Sequence, residues 1–129
     1  TLRGMLQKVA TSSAVRFTVE IDEIDKLLGK DDEIKLYRLV QESVNNILKH
    51  AGASEASVRL HRENGSLRLR VCDNGRGFNT GDSGMRNSRT AGLGLRSMTE
   101  RVQMLGGAMT IESSPGRGTT IDINLPVTT

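Results

Sequence analysis

Two runs of alternating apolar residues, Val58 and Leu60 before and Leu67, Leu69 and Val71 after, flank the dipeptide Asn64-Gly65. Alternation with period two buries one face of a strand, and Asn-Gly readily takes the positive backbone angles of a tight turn, so the stretch reads as a hairpin. The hairpin fixes more than its own pairing. It delivers its second strand into Asp73-Asn74-Gly75-Arg76-Gly77-Phe78, which stands a carboxylate and two glycines at a strand end.

The other segments take their places around it. Leu2, Met5, Leu6 and Val9 recur at helical spacing, and Val15, Phe17, Val19 and Ile21 then alternate as in a half-buried strand. The charged stretch from Asp22 to Asp32, with Gly29 inside it, reads as a connection holding a short helical turn around Ile24 to Leu28. From Asp32 to about His50 the pattern is an amphipathic helix with Val40, Val44, Ile47 and Ala51 on its apolar side. Residues 79–91 are rich in Gly, Ser, Asn and Thr and lack apolar periodicity, so they read as a mobile loop. Helical spacing returns at Leu95, Met98, Val102 and Leu105 and stops at Gly106-Gly107. Two strands follow, one through Met109 and Ile111 and one through Ile121, Ile123 and Leu125, joined by Ser114-Pro115-Gly116-Arg117-Gly118. This order predicts a mixed sheet with helices on one face. With 129 residues and no internal repeat, it predicts a single domain over residues 1–129.

Composition narrows the partners. Aromatic residues make up 2% of the chain, so the core must be aliphatic. A net charge of +3 is too small an excess to imply nucleic acid. The single cysteine, Cys72, forbids an internal disulfide and reads as a small packing residue. No stretch approaches the roughly 20 apolar residues of a membrane span, and no leader is evident, so a soluble, cytoplasmic piece is expected. A start at Thr1, partway into a helix, suggests a fragment of a longer protein.

Three segments carry candidate chemistry. At about 100° per residue, Glu42, Asn46 and Lys49 fall within roughly a 60° arc opposite the apolar side of their helix. A carboxylate, an amide and a cation on adjacent turns can organise phosphates and a hydrated Mg²⁺, which takes few protein oxygens. The same three residues would also suit a plain solvated face. Asp73 at a strand end is an acceptor matched to the exocyclic amine of adenine, although Asp-Asn-Gly also occurs in ordinary turns. Gly92-Leu93-Gly94-Leu95 opens a helix and so exposes N–H groups at its positive end. It completes neither the P-loop nor the dinucleotide fingerprint, and alone could be a simple helix start.

In this order and spacing, the three segments resemble the motifs of the catalytic domain of sensor histidine kinases, within the ATPase superfamily that includes gyrase B and MutL. The N box resembles Glu42-Ser-Val-Asn-Asn46-Ile-Leu-Lys49-His50-Ala51, in the form typical of the nitrate-sensor-type subfamily. The first glycine box resembles Asp73-Asn74-Gly75-Arg76-Gly77-Phe78 and the second Gly92-Leu93-Gly94-Leu95. Leu105-Gly106-Gly107 and Gly116-Arg117-Gly118-Thr119 extend the match towards the C-terminal end.

The resemblance implies an α/β two-layer sandwich of the Bergerat type, with ATP and Mg²⁺ between the N-box helix and a flexible lid. It makes Asn46 the Mg²⁺ ligand, Asp73 the adenine reader, and Gly75 and Gly77 the glycines of close approach. It makes Gly92, Leu93, Gly94 and Leu95 the lid end that meets the phosphates, and Thr119 a hydroxyl near adenine. Glu42 becomes the acid that orders water on the metal or assists proton removal, Lys49 a phosphate contact, and His50 part of the cleft. Asn45 lies 100° away from Asn46 around the helix and cannot replace it. Arg86 and Arg89 are lid cations that could meet phosphates or only solvent. A separate phenylalanine box is not evident.

The implied activity is transfer of the γ-phosphate of ATP to a histidine on the protein's own dimerisation domain, upstream of this chain, and onward to a response regulator. The whole protein would be a homodimer, anchored at the inner membrane if its upstream part carries a span. His50 lies in the N box and His61 on the polar side of a hairpin strand, so neither resembles the acceptor. The rivals are an anti-sigma-factor-type serine kinase that also binds its partner, and a clamp ATPase, which would need a transducer domain after Thr129.

Overall fold

The computed structural model describes residues 2–24, 27–78 and 95–127. Its elements are α1 (Leu2–Ser12), β1 (Arg16–Ile21), α2 (Lys30–Asn46), a π turn (Ile47–Ala51), β2 (Glu55–Glu63), β3 (Ser66–Asp73), α3 (Leu95–Met104), β4 (Ala108–Ser113) and β5 (Thr119–Pro126). The expected loop at 79–91, with Arg86 and Arg89, and the residues Gly92, Leu93 and Gly94 lie outside the described residues.

The hairpin forms as its pattern predicts. Gly65 turns it at φ +81°, and Val58, Leu60, Leu67, Leu69 and Val71 are all buried on one face. Five strands pair in the order β1-β2-β3-β5-β4. β1 runs parallel to β2, joined to it through α2, while the other pairings are antiparallel, so the sheet is mixed.

All the buried strand residues belong to one face, and the buried residues of α1 (Leu6), α2 (Leu36, Leu39, Val40, Val44) and α3 (Leu95, Met98, Val102) join them in one core. The other face is a polar surface of cross-strand pairs. Arg59 meets Glu20 at 3.1 Å, and Arg70 forks onto Asp122 at 2.9 and 3.3 Å. A sheet that is apolar on one side only needs a single helical layer, which gives the expected two-layer sandwich. Cys72 lies half-buried on the polar face, at the end of β3, rather than in the core.

Two details depart from the periodicity. The helix expected from Asp32 to about His50 is α-helical only from Lys30 to Asn46, and then widens into the π turn that ends at Gly52 in the left-handed region. Its final carbonyls are taken from outside the helix: His50 O accepts from Arg76 Nε at 2.7 Å and Ala51 O from Arg76 N–H at 2.8 Å. Leu95, expected at the ligand, is only 3% exposed and packs in the core at the start of α3.

Candidate functional site

The strand register puts Ala56, Asp73, Thr119 and Ser113 side by side across β2, β3, β5 and β4. They share the helix-facing side of the sheet, at the end where the large apolar side chains stop. Directly opposed residues have their Cβ atoms about 4.5–5.5 Å apart. Whatever meets the carboxylate of Asp73 therefore also lies beside Thr119.

Asp73 is held rather than merely present. Its Oδ1 accepts the N–H of Gly75 at 2.8 Å. Burial pushes its carboxyl above the ordinary value of 3.8, while the N–H groups of Gly75 and Thr119 pull back towards the ionised form. The result is a half-buried acceptor with a fixed direction. Asn74, beside it, does structural work: its Oδ1 accepts the N–H groups of Ser54 and Glu55, both at 3.0 Å, and its Nδ2 donates to Ser54 Oγ at 2.9 Å. That ties the loop to the start of β2.

The glycines of this loop admit close approach, but the backbone they admit is the chain's own. A Cβ on Gly75 would sit 2.2 Å from Ala51 O, and one on Gly77, where φ is +63°, would sit 2.1 Å from Ser114 O. Gly75 thus seats the end of the π turn on the Asp73 loop, and Gly77 seats the β4–β5 turn on it. These contacts give both glycines a structural reason without any ligand.

Ser113 closes the row. Its hydroxyl donates to Gly118 O at 3.0 Å, receives the N–H of Phe78 at 2.9 Å, and lies 2.8 Å from Thr119 Oγ1. Sequence reasoning passed over Ser113, Asn74 and Arg76. Only the glycine-box position of Arg76 and Asn74 could have drawn attention to them, and nothing local marked Ser113.

The π turn that follows α2 touches the Asp73 loop, where Arg76 N–H meets Ala51 O at 2.8 Å. Asn46 is half-buried, and its Nδ2 meets Met98 Sδ of α3 at 4.0 Å, so its oxygen, the atom a hard cation takes, is on the other side of the amide. Glu42 is one turn earlier and also half-buried. Lys49 does not complete the expected arc. A π turn advances each residue by less than an α-helix does, so past Asn46 the 100° wheel no longer holds, and Lys49 and His50 are exposed beyond the break. Among the described residues, His50 meets the Asp73 loop through its carbonyl, on Arg76. His61 lies on the polar face, 3.7 Å from Glu20 and 3.5 Å from Asp22, with the sheet between it and the site.

Among the described residues no group of three or more His, Cys, Asp or Glu is placed to hold a metal. A hydrated Mg²⁺ keeps most of its waters and asks for few protein oxygens, the kind that a carboxylate and an amide on adjacent turns carry. Glu42 and the oxygen of Asn46 are the groups that could hold it. No described helix is long and apolar enough to cross a membrane.

Comparison with known proteins agrees with this geometry. Residues 31–129 match the family described as histidine kinase-, DNA gyrase B-, and HSP90-like ATPase. The sensor histidine kinase LiaS of Bacillus subtilis is 38% identical over 109 residues, which is 84% of this chain and 29% of that protein. The signal transduction histidine-protein kinase/phosphatase DegS of the same organism is 38% identical over 103 residues, covering 80% of this chain and 26% of DegS. The chain thus spans less than a third of the length of these relatives. In structure it is similar to the histidine kinase domain of the blue-light activated histidine kinase of Erythrobacter litoralis, with a TM-score of 0.79 and 24% identity over 98% of this chain and 59% of that one. The matched span includes Glu42, Asn46, Asp73, Gly75, Gly77 and Thr119. The chain belongs to the histidine kinase-, DNA gyrase B- and HSP90-like ATPase family.

Proposed function

We propose that this chain is the ATP-binding catalytic domain of a sensor histidine kinase, and that it carries the γ-phosphate of ATP towards a histidine held on another part of the same protein. The observation that carries the reading is Asp73, half-buried and fixed by Gly75 at the sheet end beside Thr119. The names of the relatives, sensor histidine kinases over most of this chain, favour it over a serine kinase.

In this reading Asp73 accepts a hydrogen bond from the exocyclic amine of adenine, and Thr119 lies beside it. Gly92 and Gly94 offer N–H groups to the phosphates, and Lys49, exposed beyond Asn46, reaches towards them by its long side chain rather than from the Asn46 face. Bound Mg²⁺ would neutralise charge on the phosphate oxygens. Asn46 and Glu42 would hold it, Glu42 chiefly through water. Phosphoryl transfer asks a protein mainly for positioning and charge neutralisation, and these groups supply both. The nucleophile is not among them: His61 is on the opposite face of the sheet and His50 is exposed within the π turn. The acceptor histidine, the homodimer that presents it, the response regulator that follows and any membrane anchor belong to the whole protein and are part of the proposal.

The test is label transfer from γ-labelled ATP. The expected outcome is ATP binding by this chain with no self-labelling, and acid-labile label when the relevant helical hairpin is added in trans, slowly because the tether is absent. Acid-stable label on a partner protein would favour the serine kinase instead, and strong self-labelling would overturn the division of labour.

A further inference from the structure

Arg76 stands where three segments of the site meet. Its N–H donates to Ala51 O at 2.8 Å and its Nε to His50 O at 2.7 Å, so a single residue holds the last two carbonyls of the π turn. Its own carbonyl accepts the N–H of Gly116 in the β4–β5 turn at 2.6 Å. Beside it, Gly75 lets the loop sit against Ala51 with no room for a side chain. Helix C-terminal carbonyls need partners, and a π turn is rare in isolation, so a partner that takes its two terminal carbonyls at once favours the widened form.

We infer that Arg76 is a positioning residue that joins the two ends of the nucleotide site. Through it, the loop bearing Asp73 and the helix end bearing Asn46 and Lys49 are held at one separation. This rests on the proposed nucleotide reading and goes beyond it, because neither the base end nor the metal end by itself requires Arg76. The side chain is exposed, and the bond to His50 O is made by Nε, so the function lies in a donor at a given reach.

That reach supplies the test. Glutamine has an N–H donor the same number of bonds from Cβ as Arg Nε, without the charge, and methionine has the same stem with no donor. The Kd of ATP is measured by calorimetry with and without Mg²⁺ for the wild type, Arg76→Gln and Arg76→Met, with thermal melts to establish folding. Metal-free binding depends on the base end, whereas the gain from Mg²⁺ depends on Asn46 being at the right distance from it. In Arg76→Met the Mg²⁺ gain should fall by roughly 3- to 10-fold, the worth of one hydrogen bond, with metal-free affinity within about twofold of wild type. Arg76→Gln should retain the gain. Equal loss with and without Mg²⁺, or a Gln variant as impaired as the Met variant, would overturn the inference, the second result marking Arg76 as a charge on the phosphates. Should Arg76→Met not fold, Arg76→Ala carries the same comparison. A wild-type chain that binds no ATP would refute the nucleotide reading before any variant is made, and one that binds ATP indifferently to Mg²⁺ would refute the metal assignment and the coupling together.

Discussion

Replacing Asp73 by Asn tests the base end of the site most directly. In the wild type, Oδ1 accepts the N–H of Gly75 at 2.8 Å. An asparagine must keep its oxygen there, because an amide NH₂ facing that N–H would leave a donor against a donor. The NH₂ is therefore turned to the position of Oδ2, where it opposes the amine of adenine. Loss of a hydrogen bond to a charged acceptor is worth about 1.5–3 kcal/mol, or roughly a 10- to 150-fold rise in the Kd of ATP. Stability should move the other way. The carboxyl of Asp73 is held above 3.8 by burial, so the fold prefers its protonated form, and that contribution is fully present below the unfolded value and lost as pH rises through the folded one. At neutral pH the ionised side chain is thus a cost to folding, and the Asp73→Asn variant should melt at the same temperature as the wild type or higher. Calorimetry and a thermal melt read the two effects separately. Unchanged ATP affinity would remove Asp73 from the site, and a sharply lowered melting temperature would mean that it is there for the fold.

Other perturbations test the remaining parts. ATP affinity of the wild type should decline as pH falls through a value above 3.8, since binding needs ionised Asp73; a midpoint at or below 3.8 in a pH series on folded protein would contradict the burial argument. Asn46→Ala should cost on the order of 10-fold or more in the presence of Mg²⁺, given that even outer-shell metal partners are worth about 10- to 100-fold, and little without it. Equal losses in the two titrations would cancel the metal assignment. Gly75→Ala should destabilise by about 1–3 kcal/mol in denaturant melts even without nucleotide, because the added Cβ would lie 2.2 Å from Ala51 O and the loop must shift. A wild-type midpoint would mean that the loop and the π turn are not in contact.

Most of the frame was legible in the chain itself. The hairpin at Asn64-Gly65, the buried strand faces, the three helices and the stop at Gly106 all follow from short-range periodicity and turn chemistry, which act within a few residues. Glu42, Asn46, Asp73 and Thr119 were singled out through the resemblance to a family's motifs, and the register sets Asp73 against Thr119. What sequence periodicity could not supply is anything decided between distant segments. A regular 100° wheel carried α2 through to His50, but the helix widens after Asn46, where Arg76, 26 residues beyond His50, takes the last carbonyls of the π turn. Leu95 looked like part of a ligand loop, yet the core claims its side chain. Gly75 and Gly77 seat against Ala51 and Ser114, and Asn74 and Ser113 acquire their partners, only once segments far apart in the chain are side by side. Local pattern determines which element forms, because backbone torsion and alternate burial are short-range. Which side chain an element offers to a site is decided by the packing of segments far apart in the chain.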